Sequence, residues 1–363
     1  YRGWMEAAGL TDQGCVRPHN EDALLVSPER GLIVVADGMG GAAAGEVASA
    51  IATQAVLGEL DAKWCRSGIT DPETFAVAIR AATETANARI HTYAAEHPEN
   101  RGMGTTATIA GLLGDTLYLA QVGDSRAYLI RDGVAQQITK DQSLMQKLIE
   151  AGELTPEEAE VSARRNIILQ ALGPESVVRV DLTHQQVCRG DILVLCSDGL
   201  SGQMRSTDMA RIVTARLPDV EGACTDLIAL ANENGGPDNI TVIVARFDGD
   251  GLPKSSRESL VGHRVYTGEV DARPTVRVSA SDLPAETDEE RRASGGAAVP
   301  VTAGTPSPAA SDIPTTRETA ASPRATPSTP VPPAARVPVG VLRLVFGVIA
   351  AVMVLWIFFR NRN

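Results

Sequence analysis

The sequence is poor in aromatic side chains, 4% of its 363 residues, and holds only five cysteines and five histidines. No two of Cys15, Cys65, Cys188, Cys196 and Cys224 form a CxxC pair, and their number is odd. This argues against zinc cages and disulfide frameworks, and suits reduced thiols in a cytosolic compartment. The histidines (His19, His91, His97, His184, His263) have no metal-ligand spacing. Positive charge is also short: 33 Lys and Arg face 45 Asp and Glu, for a formal net charge of −12. Nucleic acid is therefore not an expected partner, because phosphate backbones demand clustered Lys and Arg. A phosphorylated ligand stays open, since bound cations reverse the local sign of an acidic site. The glycine-rich "GMGGAAAG" at 38–45 lacks the GK[ST] ending of a nucleotide-cradling loop. No basic-then-apolar leader stands at the start, so no secretory signal is expected in this stretch.

What is present divides by composition into three parts. Residues 1–247 alternate apolar strand-like runs with helical patterns and read as one folded domain. Residues 248–336 turn to Pro, Ser, Thr, Ala and Arg, as in "TTRETAASPRATPSTPVPPAAR". Such a segment buries too little apolar surface to offset its ordering entropy, which predicts a disordered linker. Residues 337–363, "VPVGVLRLVFGVIAAVMVLWIFFRNRN", are apolar on all faces over the length a membrane span needs, about 20 residues. Arg343 is placed to snorkel and Trp356 to sit near an interface. The expectation is a single C-terminal membrane anchor. Arginines flank both ends, so charge asymmetry does not fix its orientation.

Within the first part, 22–26, 31–37, 105–113, 116–122, 126–130, 191–197 and 239–247 read as strands. A turn is expected at Asp132-Gly133. Helices are expected from near Gly45, from Pro72 at a first-turn position, and over 142–152, 207–217 and 221–233. Runs of strands with helices between hairpins point to antiparallel sheets covered by helices rather than strict βαβ alternation.

The chemistry concentrates where strands end in acids. "LIVVADGMGG" runs an apolar strand into Asp37 and Gly38, and "DILVLCSDGL" repeats the device at Asp198. "LYLAQVGDSRAY" places Asp124 after a strand, and "GGPDNITVIVARF" places Asp238 before one. In an antiparallel sheet one strand ends at the rim where its neighbour begins, so these four acids are able to converge. Crowded carboxylates repel unless something positive sits among them. Oxygen-only ligands favour hard divalent cations, Mg²⁺ or Mn²⁺ rather than Zn²⁺. Gly38 permits a tight turn after Asp37, with its carbonyl free to face the same cation.

Six motifs in order, "TDQGCVRPHNEDAL", "VVADGMGG", "GMGTTATIA", "VGDSRAYLI", "LVLCSDGL" and "GGPDNITVIV", resemble the PPM family of metal-dependent protein serine/threonine phosphatases, the type 2C phosphatases, in its bacterial form. The resemblance spans about 4–247. It implies an α+β fold, a four-layer αββα sandwich of two packed antiparallel sheets flanked by helices. It also implies hydrolysis of phosphoserine and phosphothreonine in proteins by a hydroxide bridging two tightly bound Mn²⁺ or Mg²⁺ ions, without a covalent enzyme intermediate. On the matching positions Asp37 bridges both ions and the Gly38 carbonyl ligates the second. Asp198 and Asp238 complete the first, and Asp124 with Asp198 matches the acids of a third, weaker site. Glu21 and Asp22 orient metal-bound waters, Arg17 clamps the substrate phosphate, and Thr105 and Thr106 support the sheet. Cys196, close to Asp198, reads as a core thiol rather than a nucleophile.

Two departures from the family pattern stand out. Met39 replaces the histidine that follows the bridging Asp-Gly in many eukaryotic relatives, which leaves a metal-bound water as proton donor. Gln142 and Ser162 replace histidines of many bacterial relatives, in the flap 142–173 beside the active site. The expected enzyme is held at the membrane with its catalytic domain in the cytoplasm, opposing Ser/Thr kinases, with phosphorylated kinases and their substrates as partners. The alternatives are a non-catalytic phosphoprotein-binding regulator and a hydrolase of small phosphate esters on the same fold.

Overall fold

The computed structural model describes residues 5–40, 44–61, 68–160, 162, 164–256 and 259–268. By contacts the chain divides into two units, Tyr1–Val278 and Ser279–Asn363, and every described residue belongs to the first. Strands β3 (Leu32–Ala36), β6 (Ala107–Leu113) and β11 (Ile192–Cys196) are buried at every position. A strand covered on both faces has no solvent side to mark with polar residues, hence the unbroken apolar runs. These three lie inside two five-stranded antiparallel sheets. The first sheet runs β10 (Asp181–Gln186), β7 (Thr116–Val122), β6, β3, β2 (Ala23–Ser27). The second runs β1 (Met5–Asp12), β12 (Ile240–Phe247), β11, β8 (Arg126–Arg131), β9 (Val134–Gln137).

The sheets share an inner core in which Ile33, Val35, Leu117 and Leu119 of one meet Leu129, Leu193, Leu195 and Ile243 of the other. Helices α1 (Ala44–Leu60) and α2 (Pro72–Glu96) cover the outer face of the first sheet, packing Ala48, Ala52, Phe75 and Ile79 on Leu32, Val34 and Ile109. Helix α2 begins as the sequence predicts, with Pro72 in its first turn and the Asp71 carboxylate accepting from the Thr74 amide at 2.8 Å. Its seat on the sheet is set by Gly111, where a Cβ would fall 2.8 Å from both Ile79 and Phe75. Helices α6 (Ser206–Arg216) and α7 (Val220–Glu233) cover the second sheet through Met209, Val213, Cys224 and Leu227. The order of layers is helix, sheet, sheet, helix. Short helices α3 (Leu144–Glu150) and α4 (Pro156–Glu160) lie in the excursion between β9 and β10, and α5 (Asp198–Ser201) follows β11. The helix expected over 142–152 is shorter because Ser143 caps it and Gly152, at φ 71°, follows it.

The chain does not leave the fold at Phe247, where composition placed the boundary. Residues 248–256 and 259–266 run back across the molecule as a strap. Leu252 is buried in the inner core, the Arg189 amide donates to the Pro253 carbonyl at 2.8 Å, and Val265 pairs with Thr183 of β10. The Tyr266 amide donates to the Leu182 carbonyl at 2.9 Å. The Pro- and Ser-rich composition hides this because the strap is held by main-chain bonds, which composition does not encode, and by a few apolar anchors. The remainder of the expected linker and the expected span at 337–363 lie outside the described residues. Among the described residues no helix is long and apolar enough to cross a membrane.

Candidate active site

The two sheets place the ends of β3, β7, β11 and β1 and the beginnings of β12 and β2 at one rim, and the acids gather there. Asp37 leaves β3 with its backbone pinned. Its amide donates to Thr106 Oγ1 at 2.9 Å, and its carbonyl accepts from the Thr106 amide at 2.8 Å and from Thr105 Oγ1 at 2.9 Å. β4 (Gly38–Met39) then pairs with β5 (Gly104–Thr105) as a two-stranded sheet. A Cβ at Gly38 would stand 2.3 Å from the carbonyl oxygens of Glu21 and Gly45, so only glycine lets α1 and the Glu21 loop close on this turn.

The Asp37 carboxyl is partly buried and lies within hydrogen-bonding reach of both Asp22 and Asp198. Burial, and then the charges of Asp22, Asp198, Asp124 and Asp238, push it well above the usual carboxylate range. Burial likewise raises Asp22 to about 6, against a 2.6 Å hydrogen bond from Thr241 Oγ1 to its Oδ2. Asp124 is raised to about 7 by burial and by the charge of Asp198, with the Arg126 guanidinium opposing. Asp198 is raised by burial and by Asp238. Asp238 lies nearer the surface, where it accepts from Arg17 Nη2 at 2.7 Å. Arg17 is half exposed, and its proton is held more firmly by the bond to Asp238, with Asp37 and Asp198 adding to the field. Glu21 lies against Gly45, its carbonyl accepting from Ser49 Oγ at 2.7 Å.

The expected residues are thus brought together at one mouth, with one change of emphasis. Asp22, assigned a water-orienting role by resemblance, sits inside the carboxylate cluster itself. Gln142 is buried against the Asp124 turn, while Ser162 Oγ accepts from the Arg164 amide at 3.2 Å. Burial drives the Cys196 thiol up to about 12, which keeps it protonated and unreactive.

Two organising residues escape the sequence reading. Asn239 donates from Nδ2 to the Gln13 and His19 carbonyls at 2.9 and 2.8 Å and accepts from the Glu21 amide at 2.9 Å. It therefore ties the loop carrying Arg17 and Glu21 to the strand that begins after Asp238. Arg126 grips Asp141 through Nε and Nη2, the latter at 2.7 Å, and holds a positive charge beneath Asp124 and Asp198. The available signal is their position: Asn239 directly follows Asp238, and Arg126 stands two residues after Asp124.

The donor set fits hard divalent cations. Oδ1 of Asp22 and Oδ1 of Asp124 are buried and accept no hydrogen bond, an arrangement whose cost a cation removes. The donors are oxygens throughout, as Mg²⁺ and Mn²⁺ prefer. Among the described residues no three His, Cys, Asp or Glu side chains form a ready-made cage. Ions held here draw the rest of their shell from main-chain oxygen and water, which Mg²⁺ in particular retains.

This electrostatics has a measurable sign. Raised carboxylates hold more protons in the folded than in the unfolded chain, so the metal-free protein loses stability as pH rises from about 4 to about 7. Mn²⁺ competes with those protons. Its stabilisation, followed by thermal unfolding, is expected to be larger at pH 7.5 than at pH 5; equal shifts at both would count against a cation among these acids.

Residues 17–231 match the protein phosphatase 2C family. The serine/threonine protein phosphatase PstP of Mycobacterium tuberculosis is 40% identical over 244 residues, 66% of this chain but 45% of that protein, so the chain spans under half of that relative's length. The serine/threonine phosphatase stp of Listeria monocytogenes is 37% identical over 247 residues, 67% of this chain and 96% of that protein. A solved catalytic domain of PstP in complex with two manganese ions superposes with a TM-score of 0.60 at 36% identity, covering 68% of this chain and 99% of the other. The acid-lined rim, the two-sheet frame and these likenesses agree: the chain belongs to the protein phosphatase 2C family of serine/threonine phosphatases.

Proposed function

We propose that this protein hydrolyses phosphoserine and phosphothreonine in proteins, with Mn²⁺ or Mg²⁺ at the acid-lined rim. The observation that carries the reading is the convergence of Asp22, Asp37, Asp124, Asp198 and Asp238 at one mouth, with buried oxygens unpartnered and Arg17 at the exposed lip. Asp37 with the Gly38 carbonyl, Asp198 and Asp238 would hold two ions, and Asp124 with Asp198 would offer a third, weaker site. When bound, such cations supply Lewis acidity and the lowered water pKa that phosphoester hydrolysis needs at neutral pH. Arg17 stays protonated and presents donors suited to phosphate oxygens, which orients the ester over the rim. Thr105 and Thr106 fix the Asp37 main chain, so its carboxylate needs no reorganisation as charge develops.

The partners that follow are phosphorylated proteins, Ser/Thr kinases and their substrates among them. The apolar run at 337–363 supports a C-terminal membrane anchor, with the catalytic domain on the cytoplasmic side. The test is phosphate release from a phosphothreonine peptide with Mn²⁺, with and without EDTA. Release with Mn²⁺ that stops with EDTA supports the reading, whereas Mn²⁺ binding without release leaves a phosphoprotein-binding regulator. Equal turnover of small phosphate esters and the peptide points to the small-ester hydrolase. Arg17→Ala is expected to lower kcat/KM about 100-fold on the peptide while leaving Mn²⁺ affinity within a few-fold of the parent.

A further inference from the structure

Arg17 rides on the loop 13–22 between β1 and β2, and that loop is exposed from Cys15 through His19. Such a loop holds a guanidinium in place only if its feet are fixed. Asn239 joins its two ends, and a second amide stakes it from the outer helix layer. Asn232 stands in the last turn of α7, and its Nδ2 donates to Asp12 Oδ1 at 3.1 Å. The same Asp12 oxygen accepts from the Gly14 amide at 2.9 Å, which turns the chain out of β1. Asn232 Oδ1 accepts from the Cys15 thiol at 3.4 Å, and the Cys15 amide donates to the Gly236 carbonyl at 2.8 Å. One side chain thus grips the residues on both sides of Gly14. The turn has little slack: Gly14 has φ 77°, and a Cβ there would stand 2.1 Å from the Asp238 carbonyl oxygen. A Cβ at Gly236 would stand 2.4 Å from Asn232 Oδ1. From the staked turn, Gln13 Nε2 reaches forward to the Arg17 carbonyl at 2.7 Å.

We infer that Asn232 is a positioning residue for Arg17: it sets where the guanidinium stands over the rim, and so how firmly a phosphate is held. The inference rests on the phosphate-binding role given to Arg17 under Proposed function. The Asn232 side chain bonds to Asp12 and Cys15 rather than to an acid of the rim, so it acts on the clamp and not on the cations. An arginine on a loose loop loses part of its binding free energy to being ordered when the phosphate arrives, whereas one already held does not. Asn239 is a poorer probe of this effect, because it adjoins Asp238 and also accepts from the Glu21 amide.

The test uses the full chain with Mn²⁺. In Asn232→Ala, kcat/KM on a phosphothreonine peptide is expected to fall about tenfold, as for the loss of one hydrogen bond to a charged group. Affinity for inorganic phosphate, read by calorimetry, is expected to fall by the same order, with Mn²⁺ affinity within a few-fold of the parent. In the Arg17→Ala background the same substitution is expected to cost less than about twofold, because the group it positions is gone. A purely structural role costs the same factor in both backgrounds, and that result overturns the inference. Equal phosphate affinity in the parent and in Asn232→Ala overturns it as well, while the role of Arg17 stands. If Asn232→Ala does not fold, Asn232→Leu, which fills the space without the amide, is measured instead. A parent that takes up Mn²⁺ but neither binds phosphate nor releases it from the peptide overturns the reading of Arg17, and the inference with it.

Discussion

Asp37→Asn is expected to cut phosphate release from a phosphothreonine peptide by roughly a thousandfold or more while making the metal-free protein more stable. The two effects have one origin. The Asp37 carboxyl is crowded by Asp22, Asp198, Asp124 and Asp238, and its desolvation and these charges together push its pKa well up. An amide of the same shape carries no charge to desolvate, and it supplies N–H donors to neighbours that only accept. The main chain is unaffected, since Thr105 and Thr106 bind the Asp37 amide and carbonyl rather than its side chain. A gain of about 1–2 kcal/mol, or a few degrees in Tm, is therefore expected at pH 7.5 without metal. The gain shrinks as pH falls and Asp37 takes up its proton. Added Mn²⁺, which raises the Tm of the parent, should raise that of the variant far less. If the variant lost stability and activity together, Asp37 would be a structural residue and the cation site would lie elsewhere.

A cut after Phe247 is expected to lower Tm by about 10 °C, whereas a cut after Gly268 leaves it within a degree or two. The shorter chain loses Leu252 from the inner core, worth about 2 kcal/mol. It also strips a partner from a buried charge. Arg131 Nε donates to Asp191 Oδ1 at 2.8 Å, and Nη1 completes the set on the Ser259 carbonyl. A buried guanidinium donor left unsatisfied costs a further ~1–3 kcal/mol. The His184 amide loses the Arg264 carbonyl at 3.0 Å, and β10 becomes an open edge. Differential scanning calorimetry of the two truncations decides the matter. Equal midpoints would return the boundary to Phe247, where composition alone sets it.

What the sequence showed and what it hid follow one physical line. β3, β6, β7, β8, β11 and β12 and the four principal helices are legible because burial on both faces, or on one helical stripe, writes itself into the pattern. In the two large sheets the strands that went unread are β1, β9 and β10, all three at sheet edges, whereas the edge strand β2 is legible from its apolar run over 22–26. "VAQQ" has no buried position, and "DLTHQQ" buries the polar Thr183 and Gln185 beside Leu182, so neither shows an apolar face of period two. Their identity as strands comes from a neighbour's hydrogen bonds, which no local pattern records. The site divides in the same way. Asp37, Asp124 and Asp198 announce themselves by ending apolar runs, and Asp238 by preceding one. Asn239 acts through the main chain of Gln13, His19 and Glu21 and Arg126 through the Asp141 carboxylate, and spacing says nothing of such partners.

The strap also decides which side of the sandwich the chain is handed to. Met5 pairs with Phe247 at the end remote from the acids. From there the strap crosses back, meeting Gln185, then Thr183, then Leu182, and arrives beside the β7 terminus that precedes Asp124. There Gly268 folds back on the Tyr266 ring, which packs edge-on against Tyr118 and His184. An affinity handle or fluorophore placed ahead of Met5 would therefore stand at the far end from the doorway that a bulky phosphoprotein would use.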